Sequence, residues 1–200
     1  MTTIGILLFD GAEELDIVGP WEIFTASSAL LERAGETPDR ALLVGPSPDP
    51  VRCRKGMRVL PDATRADHPP LDVLVVPGGD GVMTAMEDEA LLRWIVDTGA
   101  QAQWVTSVCT GALLLHTSGV SKGRRLATHW ALEDRLAELG ADVVRGRRWV
   151  RDGNVVSSQG VSAGIDMALW LVGQLHSPDH ARATQRYIQY EPAPPYAAEV

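Results

Sequence analysis

Short apolar runs alternate along this chain with longer segments whose apolar positions recur at helical spacing. The runs are rich in β-branched residues and bounded by glycine or polar turns, which is typical of strands buried on both faces. They cover Ile4–Phe9, Ala41–Val44, Val73–Val76 and Gln103–Val108. Because strands that alternate with helices build parallel sheets, the pattern predicts an α/β fold with a doubly wound, mostly parallel sheet and helices on both faces.

The segments between these runs predict helices. The first starts at Pro20 and stops at Gly35, since proline suits a first helical turn and glycine a helix end. The others are expected at Glu87–Thr98, Gly111–Thr117, from Thr128 or His129 to Leu139, from Ser162 or Ala163 to Leu175, and at Pro178–Tyr190. A proline-rich tail over residues 192–195 opposes further helix.

Two β-hairpins complete the predicted elements. One covers Val51–Leu60 and turns near Lys55, and the other covers Trp149–Val156 around an Asp-Gly turn. Cys53 lies in the first hairpin among basic residues, so we expect it to be a surface thiol.

Length and charge restrict the class of protein. Two hundred residues suit a single domain, taken as residues 1–200. The net charge of −8 disfavours a nucleic-acid partner, because a phosphate backbone attracts an excess of basic side chains. No apolar stretch reaches the ~20 residues of a membrane span, and no signal peptide precedes the first strand, so we expect a cytoplasmic protein without a membrane partner.

The cysteine count and the glycine-rich turn argue against bound cofactors. Two cysteines far apart provide neither a disulfide framework nor a metal-binding spacing. The turn Pro77–Gly81 lacks the Gly-Lys-Ser/Thr element of a phosphate loop and the third glycine of a dinucleotide fingerprint. We therefore expect no cofactor and no metal. Ligands of doubly wound sheets bind beyond the carboxyl ends of the strands, and we expect a small-molecule substrate there.

Cys109 stands at the junction between the strand that ends at Val108 and the helix that starts at Gly111. A side chain at such an elbow projects from the carboxyl end of the sheet, and the positive end of the helix dipole favours a thiolate there. Cys109 is therefore a candidate nucleophile. A buried cysteine that packs as a small apolar residue is the alternative.

Asp16 follows the first strand and lies between apolar residues that draw it toward the interior. Loss of solvent there raises the pKa of a carboxyl group above its usual ~3.9. If Asp16 lies beside a Cys109 thiolate, two negative charges are unfavourable together, so the pair is expected to hold one proton and to titrate as a unit. A helix N-cap just ahead of Pro20 is an equally good role for Asp16.

Three further positions are candidates for binding the substrate. The backbone N–H groups of Gly78 and Gly79, together with that of Thr110, could face a developing negative charge, although a tight turn explains the two glycines equally well. His129 begins a predicted helix near the same edge of the sheet. It is a candidate polar contact for the substrate, with capping or packing as the alternative.

Eight segments spread over nearly the whole chain carry a family resemblance. They are Leu15–Pro20, Val76–Val82, Met86–Asp88, Val105–Gly111, Ala127–Trp130, Val150–Asn154, Ala163–Asp166 and Tyr190–Pro195. With these segments the chain resembles the ThiJ/PfpI superfamily, a flavodoxin-like group with a cysteine at the nucleophile elbow, and within it the isonitrile hydratases.

The resemblance implies that Cys109 is the nucleophile, Asp16 the acid carboxyl and Thr110 a neighbour that orders the site. It also implies a homodimer. In the protease, amidase and glyoxalase-like branch a histidine directly follows the cysteine. Thr110 occupies that position here, which argues against those activities for this chain. The implied reaction adds water to an isonitrile: sulfur attacks the carbon, Asp16 supplies a proton, and the resulting thioimidate is hydrolysed to an N-substituted formamide.

Two other functions stay open at this point. The sensor half of amidotransferase-like AraC-type regulators shares the elbow, so a non-enzymatic sensing module is one alternative, although the sequence ends at Val200 without the DNA-binding helices of a full regulator. A redox-responsive protein in which Cys109 oxidises reversibly is the other.

Overall fold

The computed structural model of the chain describes residues 1–193 and has an α/β architecture around a central sheet. The strands are β1 (Thr3–Leu7), β2 (Arg40–Gly45), β3 (Val51–Arg52), β4 (Arg58–Val59), β5 (Ala63–Thr64), β6 (Val73–Val76), β7 (Trp104–Val108), β8 (Arg125–Leu126), β9 (Asp142–Val143), β10 (Trp149–Asp152) and β11 (Val155–Ser158). The α-helices are α1 (Glu14–Arg33), α2 (Val82–Ala85), α3 (Glu89–Gln101), α4 (Gly111–Ser118), α5 (Glu133–Glu138), α6 (Ala163–Leu175) and α7 (Pro178–Tyr187), with a 3₁₀ turn over Trp130–Leu132.

The central sheet has seven strands in the order β10-β11-β7-β6-β1-β2-β5. All neighbouring strands in it are parallel except β10 and β11, which form an antiparallel hairpin at one edge. In the centre of the sheet, Ile4 pairs with Ala41 on one side and with Val73 on the other. The predicted mostly parallel, doubly wound sheet is confirmed, as are both predicted hairpins.

The connections explain why helices lie on both faces. The connection from β1 to β2 runs toward one edge of the sheet, and the connection from β6 to β7 runs toward the other edge. Because both crossovers are right-handed, α1 and α3 lie on opposite faces. The helix contacts agree, because α1 packs with α6 and α7 while α3 packs with α4. Strands β1 and β6 are therefore the point where the winding reverses, and ligands bind at the carboxyl edge near such a point.

The middle of the sheet forms the core. Every residue of β1, β6 and β7 is buried, as expected for apolar strands covered by helices on both faces. Strand β2, nearer the edge, alternates buried positions with partly exposed ones. The predicted positions of these four strands are confirmed to within two residues.

The first helix differs from its prediction because it begins at Glu14, six residues before Pro20. Pro20 is buried inside the helix, next to Gly164 of α6, and its ring removes only one backbone hydrogen bond from a long, well-packed helix. The earlier start places Asp16 in the first turn of α1. The residue that caps the helix is Glu13, so the N-cap role considered for Asp16 is wrong.

Other differences concern short elements. The helix expected up to Leu139 is split into the 3₁₀ turn and α5, and α7 ends at Tyr187 rather than Tyr190. The two-residue strands β5, β8 and β9 and the single-turn helix α2 were not predicted, because such short segments carry no periodic signal. Pro194 and Pro195 of the tail lie outside the described residues. Within residues 1–193, no helix combines the length and hydrophobicity needed to cross a bilayer.

Candidate active site

Cys109 occupies the elbow between β7 and α4 with a backbone φ of +58°. This left-handed conformation is uncommon for a residue with a side chain, and it persists only where the surroundings hold it. Two contacts do so: the Cys109 N–H donates to the Ser158 carbonyl oxygen at 3.1 Å, and the Cys109 carbonyl oxygen accepts from the Thr128 hydroxyl at 2.9 Å. The predicted elbow is present, fixed by β11 on one side and by Thr128 on the other.

Asp16 and Cys109 are brought together although they lie far apart in the sequence. Asp16 is 0% exposed, and its Oδ2 accepts a hydrogen bond of 2.9 Å from the Gly78 N–H. Its Oδ1 is buried without a hydrogen-bond partner among the described residues, and the Cys109 thiol lies near enough to influence the ionisation of the carboxyl group. Burial raises the pKa of Asp16 to about 7, against the opposing effects of the Gly78 N–H and the thiol.

The ionisation of Cys109 differs from the expectation based on the helix dipole. Burial first, and then the negative charge of Asp16, raise the pKa of the Cys109 thiol, while the Thr110 backbone N–H opposes the rise. The stabilisation of a thiolate by the N-terminal end of α4 is thus smaller than the cost of burying the negative charge. Because neither group ionises easily while the other is charged, the pair loses its two protons in separate steps, the first of them near pH 7. Once one proton has left, a thiolate forms when the remaining proton resides on Asp16.

Thr110 orders the turn that follows β6. Its hydroxyl accepts from the Gly79 N–H at 2.9 Å and lies 3.3 Å from the Gly79 carbonyl oxygen, to which it donates. A Cβ atom at Gly78 would lie 2.5 Å from the Thr110 nitrogen and 2.9 Å from the Cys109 Cβ, so only glycine fits there.

The two glycines therefore serve a different purpose from the expected one. The Gly78 N–H binds Asp16 and the Gly79 N–H binds Thr110. Both donors hold side chains of the site, which leaves neither free to face a negative charge on a ligand. The expectation of a substrate-facing pair of glycine N–H groups does not match this geometry.

His129 lies beside the cysteine and caps the 3₁₀ turn. Its Nδ1 accepts a hydrogen bond of 3.2 Å from the Ala131 N–H, so the neutral ring carries its proton on Nε2. A Cβ atom at Gly160 would lie 2.6 Å from the Cys109 Sγ and 2.7 Å from the His129 Cδ2. The sulfur and the imidazole therefore face each other across space that glycine leaves open. Gly160 was missed in the sequence, where its only signal is a glycine after a predicted strand.

A cavity of about 190 Å³ opens in front of the sulfur. Its lining residues are Glu13, Arg54, Gly79, Asp80, Cys109, Thr110, His129, Ala131, Leu132 and Val161. Cys109 is 5% exposed, whereas Asp16 does not line this cavity and lies behind the sulfur. One wall is charged and the other is formed by the apolar side chains of Ala131, Leu132 and Val161.

The charged wall was also missed in the sequence. The tip of the β3–β4 hairpin brings Arg54 and Lys55 onto the buried carboxylate of Glu13, and Arg54 also pairs with Asp80 at 2.7 Å.

Cys53, at the base of this tip, is buried rather than on the surface, and burial raises the pKa of its thiol to about 11. Over the described part of the chain, no three His, Cys, Asp or Glu side chains are grouped to hold a metal ion.

Comparison with known proteins places this site in a family context. The sequence matches the DJ-1/PfpI family over residues 2–174. It is 43% identical over 194 residues to an isonitrile hydratase of Pseudomonas putida, a match that covers 96% of this chain and 80% of that protein.

Two solved structures share the fold. A ThiJ/PfpI family protein from Pseudomonas syringae matches with a TM-score of 0.89 at 35% identity, covering 100% of this chain and 79% of that one. Drosophila melanogaster DJ-1beta matches with a TM-score of 0.81 at 20% identity, covering 94% of this chain and 97% of that one, which establishes a common fold only.

Proposed function

The chain belongs to the DJ-1/PfpI family, and from the geometry of its site we propose that it is a cysteine-dependent hydro-lyase that adds water to an isonitrile. The observation that carries this proposal is the buried carboxyl group of Asp16 beside the Cys109 thiol, directly behind a small cavity. The similarity to the isonitrile hydratase of Pseudomonas putida supports the same substrate class.

The pair matches what an isonitrile requires in the first half of the reaction. The terminal carbon of R–N≡C accepts both a nucleophile and a proton, and Asp16 and Cys109 together offer one of each. Sulfur forms a bond to the carbon, the shared proton is transferred to the same carbon, and the product is a thioimidate, R–N=CH–S–Cys109. Asp16 is then a carboxylate.

Water completes the reaction in the second half. It adds to the thioimidate carbon, the C–S bond breaks with its electron pair going to sulfur, and R–NH–CHO leaves. The Cys109–Asp16 pair recovers one proton, so the cycle needs no cofactor. Thr110 serves as a positioning residue, because its hydroxyl fixes the Gly78-Gly79 turn that in turn holds Asp16.

The cavity favours a small substrate with an apolar N-substituent. Its volume of about 190 Å³ is below the range of roughly 300 to 1,000 Å³ typical of drug-sized ligands. The apolar wall formed by Ala131, Leu132 and Val161 suits an alkyl group, and His129 Nε2–H is placed to donate a hydrogen bond to the substrate.

Formamide production tests the proposal directly. The purified protein is incubated with a simple alkyl isonitrile, and formamide is measured for the parent, Cys109→Ala and Asp16→Asn. We expect turnover in the parent, none with Cys109→Ala, and a loss of at least 100-fold with Asp16→Asn. Absence of turnover in the parent, or full turnover with Cys109→Ala, would overturn the proposal.

The alternative functions receive less support from the geometry. A redox-sensing thiol is accessible and has a low pKa, whereas Cys109 is 5% exposed and burial raises the pKa of its thiol. A pure sensor needs no proton held beside the sulfur. The homodimer and the cytoplasmic location expected from the sequence stay predictions, and sedimentation velocity checks the first of them.

A further inference from the structure

The second half of the proposed reaction needs a base on the cavity side of the sulfur. Water that attacks the thioimidate must come from the cavity, since the opposite side is the protein interior. Asp16 is fully buried behind the sulfur and does not line the cavity. Water in the cavity therefore has no direct path to the Asp16 carboxylate once the substrate is bound to Cys109.

Three titratable side chains that are able to accept a proton line the cavity beside Cys109: Glu13, Asp80 and His129. The acceptor nitrogen of His129 is occupied by the Ala131 N–H, which leaves only its N–H donor facing the site. The Asp80 side chain is 73% exposed and pairs with Arg54 at the mouth. Only the Glu13 carboxylate, whose side chain is 4% exposed, is both within the cavity and withdrawn from bulk water.

Glu13 is also held firmly in place. Its backbone N–H donates to the Gly78 carbonyl oxygen at 2.8 Å, next to the turn that holds Asp16. Its carboxylate is contacted by Lys55 and, at 3.4 Å, by Arg54, both from the tip of the β3–β4 hairpin. These two cations compensate for the burial of the negative charge. A base held in this way does not have to change its position when it accepts a proton.

We propose that Glu13 is the catalytic base of the hydrolytic half-reaction, an inference that rests on the proposed isonitrile hydratase activity. Glu13 takes a proton from the attacking water as the O–C bond forms, and passes it to the nitrogen as the C=N double bond becomes single. The C–S bond then breaks, sulfur takes its electron pair, and the hydroxyl proton passes to the leaving sulfur. Water has thus supplied one proton to the nitrogen and one to the Cys109–Asp16 pair.

The charge of Glu13 also acts on that pair. After burial and the nearer contacts, the negative charge of Glu13 helps to raise the pKa of both Asp16 and Cys109. Glu13 therefore lies within electrostatic range of the reacting atoms. Its loss should make the first half-reaction no harder, because the shared proton and the sulfur are supplied by other residues.

Glu13→Gln separates the two half-reactions. Enzyme and alkyl isonitrile are mixed, and intact-protein mass spectrometry follows the adduct while formamide is measured in parallel. We expect the adduct, heavier by the mass of the isonitrile, to form on Cys109 at close to the parent rate and to accumulate, with formamide release slower by about 100-fold or more. Added formate, a small carboxylate, should accelerate release from Glu13→Ala.

Glu14→Gln is the matched control. Glu14 also pairs with Lys55, at 3.6 Å, but does not line the cavity, so this variant should accumulate no more adduct than the parent and should release formamide at the parent rate. Release from Glu13→Gln at the parent rate would overturn the inference. So would equal slowing of adduct formation and release, or failure of formate to act on Glu13→Ala. A parent protein that forms neither adduct nor formamide would instead overturn the proposed function itself, and this inference with it.

Discussion

The Thr128 hydroxyl donates a hydrogen bond of 2.9 Å to the carbonyl oxygen of Cys109. Thr128 is fully buried, in the segment between β8 and the 3₁₀ turn. The bond holds the peptide that follows a residue with φ of +58°, where the backbone is under conformational strain. A side chain outside the reacting pair thus keeps the sulfur pointed at the cavity.

Thr128→Val removes this hydroxyl while keeping the shape of the side chain. It leaves the Cys109 carbonyl oxygen unpaired and buried, so we expect a loss of about 1–3 kcal/mol in the free energy of unfolding together with slower formamide production. Urea denaturation and steady-state assays measure the two effects. Thr117→Val, at an exposed position of α4, is the control and should change stability by less than about 0.5 kcal/mol. Equal behaviour of the two variants would contradict the role given to Thr128.

Asp16→Asn should change how stability depends on pH. In the folded protein the pKa of Asp16 is raised from 3.8 to about 7, so between these values the folded state binds more protons than the unfolded state. The contribution of Asp16 is therefore fully present below about pH 4 and is lost as pH rises through 7. Asparagine does not titrate, and the stability of the parent relative to Asp16→Asn should fall by up to about 4 kcal/mol between pH 4 and pH 8. Urea unfolding at several pH values tests this, and parallel pH profiles would contradict it.

Gly160→Ala should block the site. The added Cβ would lie 2.6 Å from the Cys109 Sγ and 2.7 Å from the His129 Cδ2, so the sulfur or the imidazole must move. Because small displacements of reacting groups are costly, kcat/KM for an isonitrile should fall by about 100-fold. Gly173→Ala in α6 is the control: its Cβ makes only an ordinary 3.5 Å contact, and activity should be unchanged. Parent-like activity of Gly160→Ala would show that the site tolerates the methyl group.

Thr110→Val and Thr110→Ser should separate the hydroxyl of Thr110 from its bulk. Valine leaves the N–H and carbonyl oxygen of Gly79 without their partner, so we expect a loss of about 1–3 kcal/mol in stability and reduced activity. Serine retains both hydrogen bonds and should stay close to the parent. Thermal unfolding and formamide assays compare them. If serine is impaired and valine is not, the methyl group rather than the hydroxyl is what matters.

Much of the fold could be predicted because its central strands are covered on both faces. Such strands appear in the sequence as uninterrupted apolar runs, and β1, β6 and β7 were found for that reason. The meeting of Asp16 and Cys109 was also expected from topology, since β1 and β7 both pair with β6 and the carboxyl ends of parallel strands share one edge of the sheet. The start of α1 was misplaced because proline usually marks a first turn, and tertiary packing overrides that preference here.

The rest of the site depends on contacts that leave no local pattern. Glu13 meets Lys55 only because the β3–β4 hairpin folds back over the start of α1. Gly160 matters through atoms of Cys109 and His129, neither of them close to it in the sequence. The ionisation of Cys109 was misjudged because a helix dipole can be inferred from sequence, whereas the degree of burial that opposes it depends on the packed structure.

The direction of the strands also determines which surface position can carry a label without obstructing the cavity. The exposed Gly153-Asn154 turn joins β10 to β11 at the amino end of β11, whereas Gly160 and the cavity follow its carboxyl end. With four residues in β11, the turn lies roughly 13 Å along the strand from the reacting groups. A fluorophore, an affinity tag or a surface linkage attached at Asn154 would leave the cavity mouth facing the solution.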